Sequence, residues 1–188
     1  MKLFCYLTSQ IDVLNGLYLV TTFFNPKGKA METSSHYSWV KAQPFKSLVC
    51  HLMATHQLPW RVVAVAAGVP SMVVKNMLFK DRPRIRSCDA KALMRLASGR
   101  MEQLKGMVAD PLIMREGLSR LGSQVPNAAR LAGLDEFSAR SYLERGFGLA
   151  NGLQQAWLLA ACEARGIDHD DIFESARFDC KDRLVDAA

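Results

Sequence analysis

Gly68 is the residue that most constrains what this chain can become. It stands between two short apolar-periodic stretches, Trp60 to Ala67 and Ser71 to Lys80. A helix ending there needs a left-handed residue, the conformation that glycine alone adopts cheaply. The neighbours agree with that reading. Ala64, four residues earlier, is small enough to let two helices cross closely, and Val69 plugs the turn. Pro70-Ser71 opens the next helix, and β-branched Val74 packs back beneath the first. Val74, Met77 and Leu78 are the inward set of that second helix.

The flanking sequence supplies the body for this hairpin. Between Pro44 and Gln57, residues Phe45, Leu48, Val49, Leu52 and Met53 fall at i, i+3, i+4, i+7 and i+8, the stripe of an amphipathic helix. Leu58-Pro59 ends it, and Ser87 to Ala97 predicts a further helix downstream. The fold class expected is all-α, a bundle of about eight to ten short helices.

Charge is unevenly divided. The 188 residues carry 24 Lys and Arg against 18 Asp and Glu, a formal net charge of +6. Residues 1–40 hold a net +1, residues 41–106 a net +9 and residues 107–188 a net −4. The basic middle is densest at Lys75, Lys80, Arg82, Arg84, Arg86 and Lys91, and such a field attracts phosphates whatever the total charge. Three segments follow: a weakly ordered N-terminal extension (1–40), a basic helical domain (41–106) and an acidic helical domain (107–188), the last two joined near Gly106–Asp110. Residues 1–24 carry Lys2 and several apolar residues, but polar interruptions and the lack of a small-x-small site argue against a signal peptide. No run of about 18 apolar residues predicts a membrane span. The five cysteines are widely spaced and include no C-x-x-C pair, as expected of reduced thiols in a cytoplasmic protein. His51 and His56 sit on different helix faces, so no metal or cofactor is expected.

The stretch A-V-A-A-G-V-P-S-M-V-V-K-N-M-L, followed by R-P-R-I-R and S-C-D-A-K-A-L-M-R-L-A, resembles helix-turn-helix regulators. The likeness is to small modules of actinobacterial and phage origin and, more distantly, of the lac-repressor type. It covers about 55 residues and departs from the family at Pro70-Ser71-Met72, where polar residues are commoner. The resemblance implies a bacterial or phage transcriptional regulator, repressor-like, whose recognition helix, residues 71–80, enters the major groove of duplex DNA. Its outer face would then hold Ser71, Met72, Lys75, Asn76 and Phe79. Asn76 suits the N6/N7 edge of adenine, and Met72 or Phe79 a thymine methyl. Arg61, Lys80, Arg82, Arg84 and Arg86 are the expected phosphate clamps, setting register rather than sequence.

A weaker echo follows 65 residues on. Setting Gly68 on Gly133 places Ala64 on Ala129, Ala67 on Ala132, Val69 on Leu134, Lys75 on Arg140 and Met77 on Tyr142. Residues 125–146 thus form a second candidate hairpin, with Pro111 to Leu121 before it and Leu149 to Arg165 after it. Its second helix opens with Asp135-Glu136, which disfavours phosphate, while Arg130, Arg140 and Arg145 remain as possible DNA contacts. A scaffold or homodimer role for this half is the alternative. The sequence holds no phosphate-binding glycine loop, zinc-protease or serine-hydrolase signature, so no enzyme is expected. The competing class is an adaptor that binds another regulator or polymerase through Phe147, Trp157 and the C-terminal helices.

Overall fold

The computed structural model describes residues 38–122 and 125–176. The expected N-terminal extension lies outside these residues except at its last positions. The described chain is mostly helical, as expected of an all-α fold, with one two-stranded ribbon. Strand β1 (Trp39–Lys41) precedes α1 (Gln43–His56), α2 (Trp60–Ala67) and α3 (Ser71–Phe79). Strand β2 (Arg84–Arg86) follows, running antiparallel to β1 with Trp39 opposite Arg86 and Lys41 opposite Arg84. Helix α4 (Ser87–Arg95) leads through a sharp bend to α5 (Met101–Gly106). Gly99, at φ +126°, makes that bend. Then come α6 (Pro111–Leu121), α7 (Val125–Leu131), α8 (Glu136–Arg145) and α9 (Gly152–Ala164), with a last helical stretch over 169–176.

The turn between α2 and α3 forms for the reason the sequence gives. Gly68 adopts φ +70°, and the Val69 N–H donates to the Ala64 carbonyl at 3.0 Å. Ala64, Val69, Val74 and Met77 are all buried. Sixty-five residues later the same geometry recurs. Gly133 has φ +64°, the Leu134 N–H donates to the Ala129 carbonyl at 2.9 Å, and Ala129, Leu134, Ala139 and Tyr142 are buried.

The correspondence extends beyond the hairpins. Ala42-Gln43-Pro44-Phe45 and Ala109-Asp110-Pro111-Leu112 each open the helix that precedes a hairpin. The buried Ala42 donates its N–H to the Pro83 carbonyl, and the buried Ala109 does the same to Ala150, both at 3.0 Å. Each alanine thereby ties the start of its first helix to the segment that leads into its last. In the second half the ribbon is reduced to one bridge, Val108 with Asn151. Asn151 goes on to cap α9 in a reciprocal box with Gln154, which satisfies two otherwise unpaired N–H groups.

Two apolar cores result, and α9 belongs to both. Ala156 and Ala160 face the first core with Val62, Val63, Ala64 and Leu93. Leu158, Leu159 and Cys162 face the second with Met114, Leu118, Ala139 and Tyr142. The small side chains of α2 allow α9 to lie close against it, so the described residues of 41–106 and of 107–176 are packed through that helix.

Tyr142 fills the place that Met77 takes in the first half and adds a polar duty. Its hydroxyl accepts the Ala150 N–H at 3.0 Å in the core. Gly148 lies so close to the ring that a β-carbon there would come within 2.4 Å of it. Tyr142→Phe should leave the Ala150 N–H buried without an acceptor and destabilise the protein by about 1–3 kcal/mol. Urea unfolding of the two proteins checks this, and equal midpoints would remove the hydroxyl from the stabilising set.

Candidate nucleic-acid interface

The positively charged side chains are carried by α3, the loop after it and the ribbon. On α3, Met72, Lys75 and Phe79 are exposed, while Val74 and Met77 point into the core. This is the outer and inner division expected from the sequence, with two differences. Ser71 is only 7% exposed, and its hydroxyl donates to Glu163 of α9 at 2.6 Å. It therefore does not stand on the outer face, and ties the first turn of α3 to the second half of the chain. Pro70 precedes it and offers no side-chain cap, and the outer-face place expected of the serine rests on the helix-turn-helix resemblance. The approach of α9, 92 residues away, carried no local signal.

Asn76 is half-buried. Its side-chain oxygen is enclosed and accepts no hydrogen bond, so the amide must rotate before both its donor and its acceptor can face a base edge. Phe79, although exposed, stands edge-on to Trp60 with ring centroids 6.2 Å apart. Arg61 lies over the Trp60 ring, its guanidinium 4.6 Å from the ring centre. These three side chains form a small cluster that ties α2 to the end of α3.

Lys80 and Arg84 are exposed, and Arg82 is half-buried. In the ribbon the pleat sends Val40 and Ile85 inward and leaves Trp39, Lys41, Arg84 and Arg86 on the opposite face. Trp39 is the residue that sequence reasoning missed. It lies where the chain was read as an extension, and three residues of strand give almost no periodic signal. The Arg82 guanidinium sits 5.5 Å from the centre of the Trp39 ring.

The acidic residues of this half are mostly kept out of the way. Asp81 pairs with Lys46 at 2.6 Å, and that ammonium holds its carboxyl below the usual range. Glu102 pairs with Lys105 at 2.7 Å. No ion pair among the described residues engages Lys75, Lys80, Arg82 or Arg84. Asp89, in the first turn of α4, is 7% exposed.

The second half presents a different surface on the same scaffold. Phe137, at the place of Met72, is 75% exposed where the methionine is 60% exposed. Arg140 takes the place of Lys75 but is paired with Glu136 at 2.9 Å. Glu144 and Arg145 are exposed beside it, and the Asp135 carboxylate caps α8 through the Ser138 N–H and hydroxyl. Trp157, expected as an adaptor contact, is half-buried and packed against Gly133, whereas Phe147 is exposed.

Comparison of the chain with protein-family models, with curated proteins and with solved structures finds no match in any of the three. Among the described residues, no helix is long and apolar enough to cross a membrane.

Burial is the main influence on Asp89 and raises its carboxyl above the ordinary carboxylate range. The Arg86 charge, the Cys88 thiol and the Arg82 charge offset part of that rise. A raised folded-state value means the acid is harmless while protonated and costs stability once pH rises through it. Asp89→Asn should therefore raise the melting temperature at neutral pH, with the gain shrinking as pH falls towards 4. A melting series of both proteins across that range checks the sign. An asparagine variant that melts lower at neutral pH would show that the buried charge stabilises the fold.

Proposed function

We propose that this chain binds duplex DNA through its basic half, as a helix-turn-helix regulator of transcription, with α3 in the major groove and the β1–β2 ribbon against the backbone. One observation carries the reading. Among the described residues, Lys75, Lys80, Arg82 and Arg84 run without an acidic partner from α3 into the ribbon, while Asp81 of the intervening loop is neutralised by Lys46. A surface patch of that composition binds by releasing counterions from phosphates, and its affinity falls steeply with salt. Lys41 and Arg86 extend the same face of the ribbon. Met72 and Lys75 are the exposed α3 side chains best suited to base edges, with Asn76 joining them after its amide turns outward.

In this reading the second hairpin supports the first. Its outer helix mixes Glu136, Arg140, Glu144 and Arg145, and the pairing of Arg140 with Glu136 spends the charge that a phosphate would need. A second reading, contact with another protein, is favoured by the exposed Phe137, Phe147 and Leu149 in this half.

Titration of the full chain with random duplex at two salt concentrations separates the two. A DNA reader loses affinity steeply with salt, and undetectable binding at about 50 mM salt would leave the protein-contact reading. Within the DNA reading, Arg84→Ala should weaken all duplexes alike and lower the salt slope by about one unit. An unchanged slope would take Arg84 out of the phosphate set. Asn76→Ala should instead cost about 1–3 kcal/mol on a preferred site and relax the preference at one base pair. Loss of equal size on every sequence would exclude base reading by this side chain.

A further inference from the structure

Beside the start of α4, a cleft of about 250 Å³ opens between the ribbon and the start of α3. Trp39, Arg82, Val73 and Asp89 line it, with Pro70, Ile85 and Arg86 completing the walls. Asp89 is the unusual member. Its side chain does not cap α4, and among the described residues it forms no ion pair and accepts a hydrogen bond only from the Cys88 thiol at 3.9 Å, with the Arg86 and Arg82 charges acting from further away. A carboxylate that is buried in the lining of a cleft, and that gives its helix only the charge of a first-turn acid and no cap, is a feature that a ligand would explain. Another part of the lining is π-rich, the Trp39 ring with the Arg82 guanidinium 5.5 Å from its centre.

We propose that this cleft is a binding site for a guanine base carrying a phosphate. The cleft is smaller than the roughly 300–1,000 Å³ pockets that take whole drug-sized ligands, which suits one planar base with its sugar and phosphate outside. Stacking on Trp39 and Arg82 accepts any base, because every base has a π face. Asp89 supplies the choice. An ionised carboxylate only accepts hydrogen bonds, and guanine alone offers two adjacent donors, N1–H and the 2-amino group. Adenine and cytosine place a ring acceptor beside their amino group, and uracil and thymine flank their one N–H with carbonyls. Each of those edges would set a lone pair against the carboxylate. The phosphate falls towards the basic face of the ribbon, where Lys41 and Arg84 are exposed. The base could belong to a free nucleotide or to an unpaired guanine of a nucleic-acid strand, and both present the same edge.

Calorimetric titration of the full chain with GMP and with AMP tests the site. GMP should bind saturably and AMP about tenfold or more weakly, the size expected when a charged hydrogen-bond acceptor loses its donors. Asp89→Asn should bring GMP down to the AMP level, and Trp39→Ala, at an exposed position, should weaken both. Random-duplex binding by Asp89→Asn should stay within about twofold of the parent, so loss of the site is distinguishable from loss of duplex binding. A duplex with one overhanging guanine, compared with the blunt duplex, separates the sources. An Asp89-dependent gain from the overhang without GMP binding assigns the site to a strand, and GMP binding assigns it to a nucleotide. Saturable binding of GMP and AMP with equal affinity, an undiminished preference in Asp89→Asn, or no Asp89-dependent binding of either guanine form would overturn the proposal.

Discussion

The packing of α9 against α2 is the contact on which the other features of this molecule depend. Helix α2 is built from Val and Ala, and α9 meets it with Ala156 and Ala160. Small side chains on both partners let the helices approach closely, which puts apolar atoms of two sequence-distant segments in contact and removes both surfaces from water. The position of α3 follows from that approach. Its first turn is fastened to α9 by the Ser71–Glu163 hydrogen bond, and its inner residues close over α2. The orientation of the helix proposed to read DNA is therefore set partly by the acidic half, which explains how a surface poor in phosphate-binding groups can still matter to a DNA-binding reading.

The parts of this fold that were legible beforehand are those fixed by local physics. Gly68 and Gly133 had to turn left-handed because each ends a helix and precedes an apolar plug. The helices at Trp60–Ala67 and Pro111–Leu121 begin at a proline or next to one and end where their periodicity stops. What stayed hidden depends on contacts far apart in sequence. Ser71 looked solvent-facing because its partner lies 92 residues away. The ribbon was invisible because three-residue strands hold too few alternations to register, and because Trp39 is defined by its pairing with Arg86 rather than by its neighbours. The burial of Asp89 has the same cause: in the sequence it reads as an ordinary acidic residue in a helix's first turn.

The two halves also show which properties of a helical hairpin are bound to its geometry and which are free. From Met72 to Phe79 and from Phe137 to Glu144, buried, half-buried and exposed positions follow one another in the same order. Side chains at the inner positions change only within the space the crossing leaves: Val74 becomes Ala139, and Met77 becomes Tyr142. The larger ring is accommodated because Gly148 has no side chain and because the hydroxyl finds the Ala150 N–H. At the outer positions the pairing of the side chains changes instead. Lys75 forms no ion pair among the described residues where Arg140 is paired, and Asn76 gives way to Ser141, whose hydroxyl donates to the Phe147 carbonyl. Core positions answer to volume and hydrogen-bond closure, whereas outer positions answer only to whatever they meet in solution. The difference in charge between the halves thus belongs to their surfaces, and it supports the proposal that the polyanion meets the half whose Lys75, Lys80, Arg82 and Arg84 form no ion pair among the described residues.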